Sequence, residues 1–220
     1  MHTDSLQLDF DGHSPNARSI ELGREASILQ GFAQVYATQL LDEIRLMSAI
    51  SPFRHLVTRS GHKMSVAMTN CGSLGWVSDR SGYRYDPIDP ETGRPWPAMP
   101  ALFRDLAASA AAAAGFPHYA PDACLINEYR PGARLSLHQD RDERDRIAPI
   151  VSVSLGVSAT FLWGGQLRTD RPRRIPVAHG DVAVWGGVDR MTFHGIAELP
   201  HGQHPLTGDR RYNLTFRVVR

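Results

Sequence analysis

The stretch "RYNLTFRVV", Arg211–Val219, alternates polar and apolar residues as far as Val218. Successive side chains of a strand point to opposite faces. Arg211, Asn213, Thr215 and Arg217 therefore share one face, and Tyr212, Leu214, Phe216 and Val218 share the other. The apolar face has to pack inside, against a second layer or a helix. The polar face either meets solvent, as in many antiparallel sheets, or lines a cavity where two fixed guanidinium groups await a dianion. Arginine suits the second role because its planar fork matches a carboxylate bidentately.

Upstream of this stretch lie seven more of the same texture: "ACLINEY", "RLSLHQD", "IVSVSLGV", "ATFLWGG", "RRIPVA", "DVAVWGG" and "MTFHGI". All are short and separated by turns such as Arg130-Pro131-Gly132. Many evenly spaced short strands predict a jelly roll or barrel. Before them, "QVYATQLLDEIRLMSAI" carries Val35, Leu40, Leu41, Ile44 and Met47 near helical spacing and ends at Ser51-Pro52. It reads as an amphipathic helix. A second helix is predicted from about Pro100 to Ala114, where the alanine run has high helix propensity and Gly115 supplies a stop. The fold class expected is α+β, mainly β, with these helices covering one sheet.

Between the helices, residues 58–100 are rich in Gly, Pro, Asp and aromatics. Trp76, Tyr83, Tyr85 and Trp96 argue against disorder there, so a lid over a functional site is the better reading. The first twenty residues are polar and turn-rich and read as a loose arm. Residues 21–220 read as one domain, with a strand-rich core over 122–219.

The chain has 220 residues, 42% hydrophobic and 21% charged, with a formal charge of +1. That composition is ordinary for a soluble globular protein, and the charge says little about partners, a local basic patch remaining to be sought residue by residue. Cys71 and Cys124 sit in apolar runs and read as buried free thiols in a reducing compartment. No stretch is long and apolar enough for a membrane span, and the N-terminus lacks signal-peptide character. A cytoplasmic protein without a membrane partner, acting as a monomer, is expected.

In "RLSLHQDRDE", Arg134–Glu143, strand alternation aims His138 and Asp140 the same way, where a core would want apolar groups. His194, in "MTFHGI", is the natural third member. Two histidines and one carboxylate form the facial triad that holds non-haem Fe(II) and leaves positions open for a cosubstrate and oxygen. A lone H-x-D is common by chance, and His179-Gly180-Asp181 repeats the spacing where a turn is expected. What strengthens the triad is the arginine face of the last strand. A dicarboxylate beside such a metal suggests 2-oxoglutarate, whose oxo-acid end chelates iron while its far carboxylate pairs with arginine. Asn127 and Tyr129, on one face of "ACLINEY", add hydrogen-bonding groups.

Taken together, "MSVAMTNCGSLGW", "YDPIDPETGRPWPAMP", "PDACLINEY", "LSLHQDRDE", "APIVSVSLG", "HGDVAVWGG" and "RYNLTFR" closely resemble the AlkB family of iron- and 2-oxoglutarate-dependent dioxygenases, its bacterial DNA-repair branch in particular. The resemblance spans about Ser51 to Val218. It implies a double-stranded β-helix of the jelly-roll kind with a nucleotide-recognition lid. It implies Fe(II) held by His138, Asp140 and His194, and 2-oxoglutarate held by Asn127, Tyr129, Arg211, Asn213 and Arg217, with O2 as second cosubstrate. It further implies that Trp76, Tyr83, Tyr85, Asp142 and Arg168 serve the nucleotide, with Trp76 stacking on an extruded base opposite His138. Arg59 and His62 make the lid loop "VTRSGHKM" more basic than in the bacterial repair enzyme, which bears on nucleic-acid preference and not on the iron chemistry.

The activity so implied is oxidative dealkylation of 1-methyladenine and 3-methylcytosine in DNA, and also in RNA. The methyl group is hydroxylated and leaves as formaldehyde, while 2-oxoglutarate becomes succinate and CO2. Asp142 would favour the cationic base, whereas residues alone would make it part of a solvated loop, "RDERDR"; Glu143 receives no role. Arg171, Arg173 and Arg174 read as a basic rim. Two alternatives stand beside this: a hydroxylase of a protein side chain or metabolite, and a noncatalytic damaged-base binding module.

Overall fold

The computed structural model describes residues 18–220. Most of the loose arm expected at the N-terminus lies outside the described residues. The described residues open with β1 (Ser19–Glu21), β2 (Ala26–Leu29) and α1 (Ala37–Ile50), followed by β3 (Ala67–Gly72), β4 (Gly75–Asp79), β5 (Gly82–Asp86) and α2 (Ala101–Ala113). The strand-rich part comprises β6 (Ala123–Tyr129), β7 (Leu135–His138), β8 (Ile150–Gly156), β9 (Ala159–Trp163) and β10 (Arg173–Val177). It is completed by β11 (Val182–Trp185), β12 (His194–Ile196) and β13 (Arg211–Arg217).

Period-two alternation builds two antiparallel sheets from these strands. The larger runs β1-β2-β11-β8-β13-β6-β3 and the smaller β10-β9-β12-β7. This is the jelly-roll, double-stranded β-helix class. β13 sits in the middle of the larger sheet, pairing with β6 and β8 along nearly its whole length. Its Leu214 and Phe216 are fully buried with Cys124, Ile126, Val151, Val153, Val182 and Val184 against α1 and α2. The second core fills the space between the sheets, where Ile28, Met68, Ile150, Phe161, Trp163, Ile175 and Trp185 meet. Arg211, Asn213, Thr215 and Arg217 face that same space and are all buried. The polar face therefore turns inward, and the solvent alternative falls.

The helices fit their sequence pattern with one correction. Leu40, Leu41, Ile44 and Met47 are buried on α1, but Val35 is 82% exposed. It lies in a short 3-10 turn, Gln34–Tyr36, before the helix begins, so the helical stripe does not reach it. At the far end the Ser51 amide closes the helix onto the Met47 carbonyl at 2.9 Å, and Pro52 ends it. On α2, Phe103 packs edge-on to Phe216, with ring centroids 5.9 Å apart and planes at 88°.

β4 and β5 form a separate hairpin. Its place is fixed from several sides. The Asn70 side chain both accepts from the Trp76 amide and donates to the Trp76 carbonyl, at 3.0 and 3.1 Å. The Ser78 hydroxyl donates to the Val57 carbonyl at 2.6 Å. Trp96, buried and bonded to the Asp86 carbonyl at 2.8 Å, lies so close beneath Gly75 that a Cβ there would sit 2.3 Å from its ring. The connecting segment is anchored by Asp89, buried and paired with Arg54 and with the Ser51 hydroxyl.

β1 and β2 extend the larger sheet from a region where no strand was predicted. Ala26–Leu29 is too short for periodicity to register, and it becomes a strand by pairing with β11. Emptying the helix–sheet core at its aromatic contact, by Phe216→Ala, is expected to lower unfolding stability by about 3–5 kcal/mol, measured by denaturant unfolding followed by circular dichroism.

Candidate metal and cosubstrate site

Cross-strand register brings the two histidines together. His194, first residue of β12, pairs directly with His138, last residue of β7. The pairing then slips by one residue between His194 and Ile196. Gly195 permits the close approach, since a Cβ there would lie 2.5 Å from the Leu135 carbonyl oxygen. Bulges of this kind re-aim side chains beside functional sites. The His138 and His194 ring centroids stand 4.5 Å apart.

Asp140 joins them by a different route from the one its spacing suggested. β7 ends at His138, so Asp140 is not on a strand face. The segment is instead pinned to the turn before β12. Gln139 donates to the Met191 carbonyl at 2.6 Å, and Arg190 donates to the Asp140 carbonyl at 2.6 Å. The Asp140 carboxylate ends 3.5 Å from His138 Nε2 and 3.7 Å from His194 Nε2. One ligand atom from each of the three lies within 4.8 Å of the others, and among the described residues no other group of His, Cys, Asp and Glu gathers in this way.

Both rings are oriented by their own strands. His138 Nδ1 lies 2.9 Å from the Ser136 carbonyl and His194 Nδ1 lies 3.0 Å from that of Thr192. A carbonyl only accepts, so each Nδ1 carries the proton and each Nε2 is left to face the centre, as a metal site requires. Burial and the neighbouring His138 hold His194 down to about 3. Burial also disfavours the charged form of His138, but hydrogen bonding to Asp140 outweighs it and raises its pKa. Desolvation pushes the Asp140 carboxyl up, yet the Arg217 guanidinium and the two imidazoles hold it well below the usual carboxylate range.

The three residues open into a cavity of about 1000 Å³ whose wall includes Asn127, Tyr129, Arg211, Asn213 and Arg217. Arg211 is the telling member. It is 2% exposed, its guanidinium lies 4.8 Å over the Tyr129 ring, and one Nη donates to the Ser154 hydroxyl at 3.0 Å. Among the described residues its Nε and other Nη have no hydrogen-bond partner. Buried donors on a cation are costly to leave unpaired, so the wall is built for an anion. Asn213 is fully engaged: it donates to Ser152 and to the Val153 carbonyl and accepts from Asn127 and Thr215. It organises the wall. Asn127 donates to Asn213 at 3.1 Å, while its own acceptor oxygen has no partner among the described residues.

Arg217 sits between two carboxylates, with Nη2 2.8 Å and Nε 3.2 Å from Asp140 and Nε 3.2 Å from Glu143. Glu143, given no role from sequence, is buried and also bound by Arg190 at 3.0 Å. Arg190 was missed altogether. Nothing in its local sequence marks it, whereas Ser152 and Ser154 were legible as the polar face of "IVSVSLG".

Above the cavity stands the hairpin. Trp76 and Tyr83 line the cavity and stack with ring centroids 5.5 Å apart. Trp76 Nε1 donates to Asp142 at 3.0 Å. Tyr85 shares their hairpin but does not line the cavity; its hydroxyl donates to Glu143. Arg168 is exposed at the rim beside Arg134, Arg141, His62 and Lys63, while Arg59 is exposed and outside the lining. Arg173 is not a free rim charge, since its guanidinium donates to the Leu22 and Glu21 carbonyls. His179-Gly180-Asp181 is the turn expected. His179 accepts from the Gly156 amide, and Asp181 accepts from the amides of Gly31 and Ala178.

The chain matches the 2OG-Fe(II) oxygenase superfamily over residues 25–217. It is 58% identical over 196 residues to the alpha-ketoglutarate-dependent dioxygenase AlkB of Escherichia coli (strain K12), covering 89% of this chain and 91% of that protein. The chain belongs to the AlkB-type 2OG-Fe(II) oxygenases. It is also 46% identical over 192 residues to the AlkB homolog of Caulobacter vibrioides (strain NA1000 / CB15N), covering 86% of each. The solved structure of OsALKBH1 superposes with a TM-score of 0.81 at 27% identity, over 91% of this chain and all of that one. As an AlkB-type enzyme the chain is an Fe(II)- and 2-oxoglutarate-dependent dioxygenase, and its triad is the metal site such an enzyme needs.

Metal binding requires neutral imidazoles, and the Asp140 carboxylate raises the His138 pKa from its ordinary value. Divalent-metal affinity is therefore expected to fall as pH drops through and below that raised pKa, with protons released on binding at the lower pH. Calorimetric titration with Mn(II) at several pH values in buffers of different ionisation enthalpy checks both.

Proposed function

We infer that this AlkB-type dioxygenase removes alkyl groups oxidatively from DNA bases, 1-methyladenine and 3-methylcytosine above all, and that alkylated RNA is a second substrate. The observation that carries this is the conjunction of a facial triad with an arginine two of whose buried nitrogens have no hydrogen-bond partner among the described residues, in one cavity roofed by an aromatic hairpin. When bound, iron with O2 and 2-oxoglutarate supplies the oxidation that hydroxylates the alkyl carbon, 2-oxoglutarate leaving as succinate and CO2. The hydroxylated carbon on a ring nitrogen then departs as formaldehyde and leaves the base restored.

The chain's own residues bind and orient. His138, Asp140 and His194 hold the metal on one face. Arg211 takes the far carboxylate of 2-oxoglutarate, Tyr129 lies under its guanidinium, Arg217 serves the oxo-acid end, and Asn127 and Asn213 complete the wall. An alkylated base has to leave the stack to reach this depth. Trp76, backed by Tyr83, offers it a new stacking partner on the side facing His138, worth about 1–3 kcal/mol. Asp142 uses one oxygen on Trp76 and presents its other carboxylate edge to the exocyclic amine of a cationic base. Arg168 and the neighbouring rim cations meet phosphate, so binding weakens with salt. His62, in the more basic loop, tunes nucleic-acid preference at that rim.

We further propose that residues 21–220 work as one domain with residues 58–100 as its lid, as a monomer in the cytoplasm. The two buried free thiols suit a reducing compartment. No helix among the described residues is long and apolar enough to cross a membrane.

Anaerobic reconstitution with Fe(II) and 2-oxoglutarate, followed by oxygen and mass spectrometry of methylated oligonucleotides, tests the assignment. Formaldehyde and restored bases are expected in step with succinate. Turnover of 2-oxoglutarate without loss of methyl from any methylated nucleic acid would redirect it to a protein or metabolite hydroxylase. His138→Ala is expected to abolish formaldehyde release while the thermal melt persists, and Trp76→Ala to raise KM for the oligonucleotide more than it lowers kcat.

A further inference from the structure

Tyr85 stands on the same hairpin face as Trp76 and Tyr83, yet it does not line the cavity, and its hydroxyl donates to Glu143, which does. Glu143 is 4% exposed, and its other oxygen accepts from Arg190 Nη2 at 3.0 Å. Arg190 is 1% exposed and does not line the cavity either. Its remaining donors reach the Asp140 carbonyl at 2.6 Å and the Ala148 carbonyl at 3.1 Å. From Tyr85 and Arg190, then, two hydrogen bonds converge on a single carboxylate whose third partner is Arg217 at 3.2 Å.

We propose that Tyr85 and Arg190 are positioning residues for the iron and 2-oxoglutarate centre, which fix Glu143 so that Glu143 retains Arg217 when Asp140 turns its charge toward a metal ion. Tyr85 then acts through Glu143 and not by touching the nucleotide. This rests on the reading of the cavity as an iron and 2-oxoglutarate site.

The charges make the need plain. Arg190 and Arg217 are buried, and the ion pairs they make among the described residues go to two carboxylates, Asp140 and Glu143. A metal ion at the triad draws on the Asp140 carboxylate. With Asp140 alone, Arg217 would lose its counter-ion at the moment 2-oxoglutarate needs it held in place. Glu143 supplies a second anion that no metal ligand shares. Its aim is set by a phenol and a guanidinium fork, which a lysine in place of Arg190 cannot reproduce, because one ammonium does not span the Asp140 carbonyl, the Ala148 carbonyl and Glu143 together. The hairpin does not depend on the Tyr85 hydroxyl for its place. Asn70, Ser78 and Trp96 hold it separately.

The test compares Tyr85→Phe, Glu143→Gln and Arg190→Lys with the unaltered protein. Calorimetric titration of the Mn(II)-loaded protein with 2-oxoglutarate reads the cosubstrate side. Fluorescence titration of the metal-free protein with a methylated oligonucleotide reads the nucleotide side, and thermal melting checks the fold. Each variant is expected to bind 2-oxoglutarate about tenfold more weakly, and the visible charge-transfer band of the anaerobic Fe(II) and 2-oxoglutarate complex is expected to shift. Tyr85→Phe is expected to leave oligonucleotide affinity unchanged. Unchanged 2-oxoglutarate affinity in any folded variant overturns the proposal, as does weakened oligonucleotide binding in metal-free Tyr85→Phe. Should Tyr85→Phe fail to fold, Glu143→Gln decides alone. Absence of 2-oxoglutarate binding by the unaltered protein would instead remove the functional reading on which the proposal rests.

Discussion

The grip of Arg217 on Asp140 is the interaction around which the interior is arranged. Both groups are buried, and an isolated charge at that depth is prohibitively costly. Asp140 is tolerable because Arg217 is present at 2.8 Å, and removing the cation from such a pair costs about 3–5 kcal/mol because the carboxylate is stranded. The pair also has a geometric effect. Asp140 lies beyond the end of its strand, where backbone pairing no longer dictates its direction, and the guanidinium from a central strand of the other sheet supplies that direction instead.

Such a polar interior needs apolar packing elsewhere, and the larger sheet provides it by keeping its two faces strictly apart. Leu214 and Phe216 are sealed beneath α1 and α2, while their neighbours along the same strand carry the ionic and hydrogen-bonding groups. The helices do no chemistry. They let one face of the sheet remain polar without the sheet coming apart, and this explains why an alanine-rich helix with no functional side chain belongs to the fold.

Much of this was legible beforehand because alternation is a local property that survives folding. "ACLINEY" is a strand over all the residues its pattern marks, "RYNLTFRVV" is one as far as Arg217, two residues short of its expected end, and α2 differs from its expected span by one residue at each end. What could not be read was set by long-range partners. Ala26–Leu29 is a strand because β11 lies beside it. Val35 continues an apolar spacing but precedes the helix. Asp140 reaches the histidines through Gln139, Arg190 and Arg217, and not through strand phase. Glu143 and Arg190 look like solvated charges in "RDERDR" and "GGVDRM"; only the fold shows that they neutralise one another inside. Tyr85 shared a motif with two cavity-lining aromatics, and a motif does not say which way a hydroxyl turns.

The position of β13 has a consequence for how the molecule comes into being. It follows every other strand in chain order, yet it occupies a lane between β8 and β6. Until it docks, those two strands present facing open edges, and the hydrophobic underside of the sheet has a gap beneath the helices. Unpaired edges of that kind invite wrong partners. Arg217, the guanidinium that reaches both Asp140 and Glu143, arrives on this same strand, so during synthesis the last lane to fill also brings the buried carboxylates the counter-charge they share.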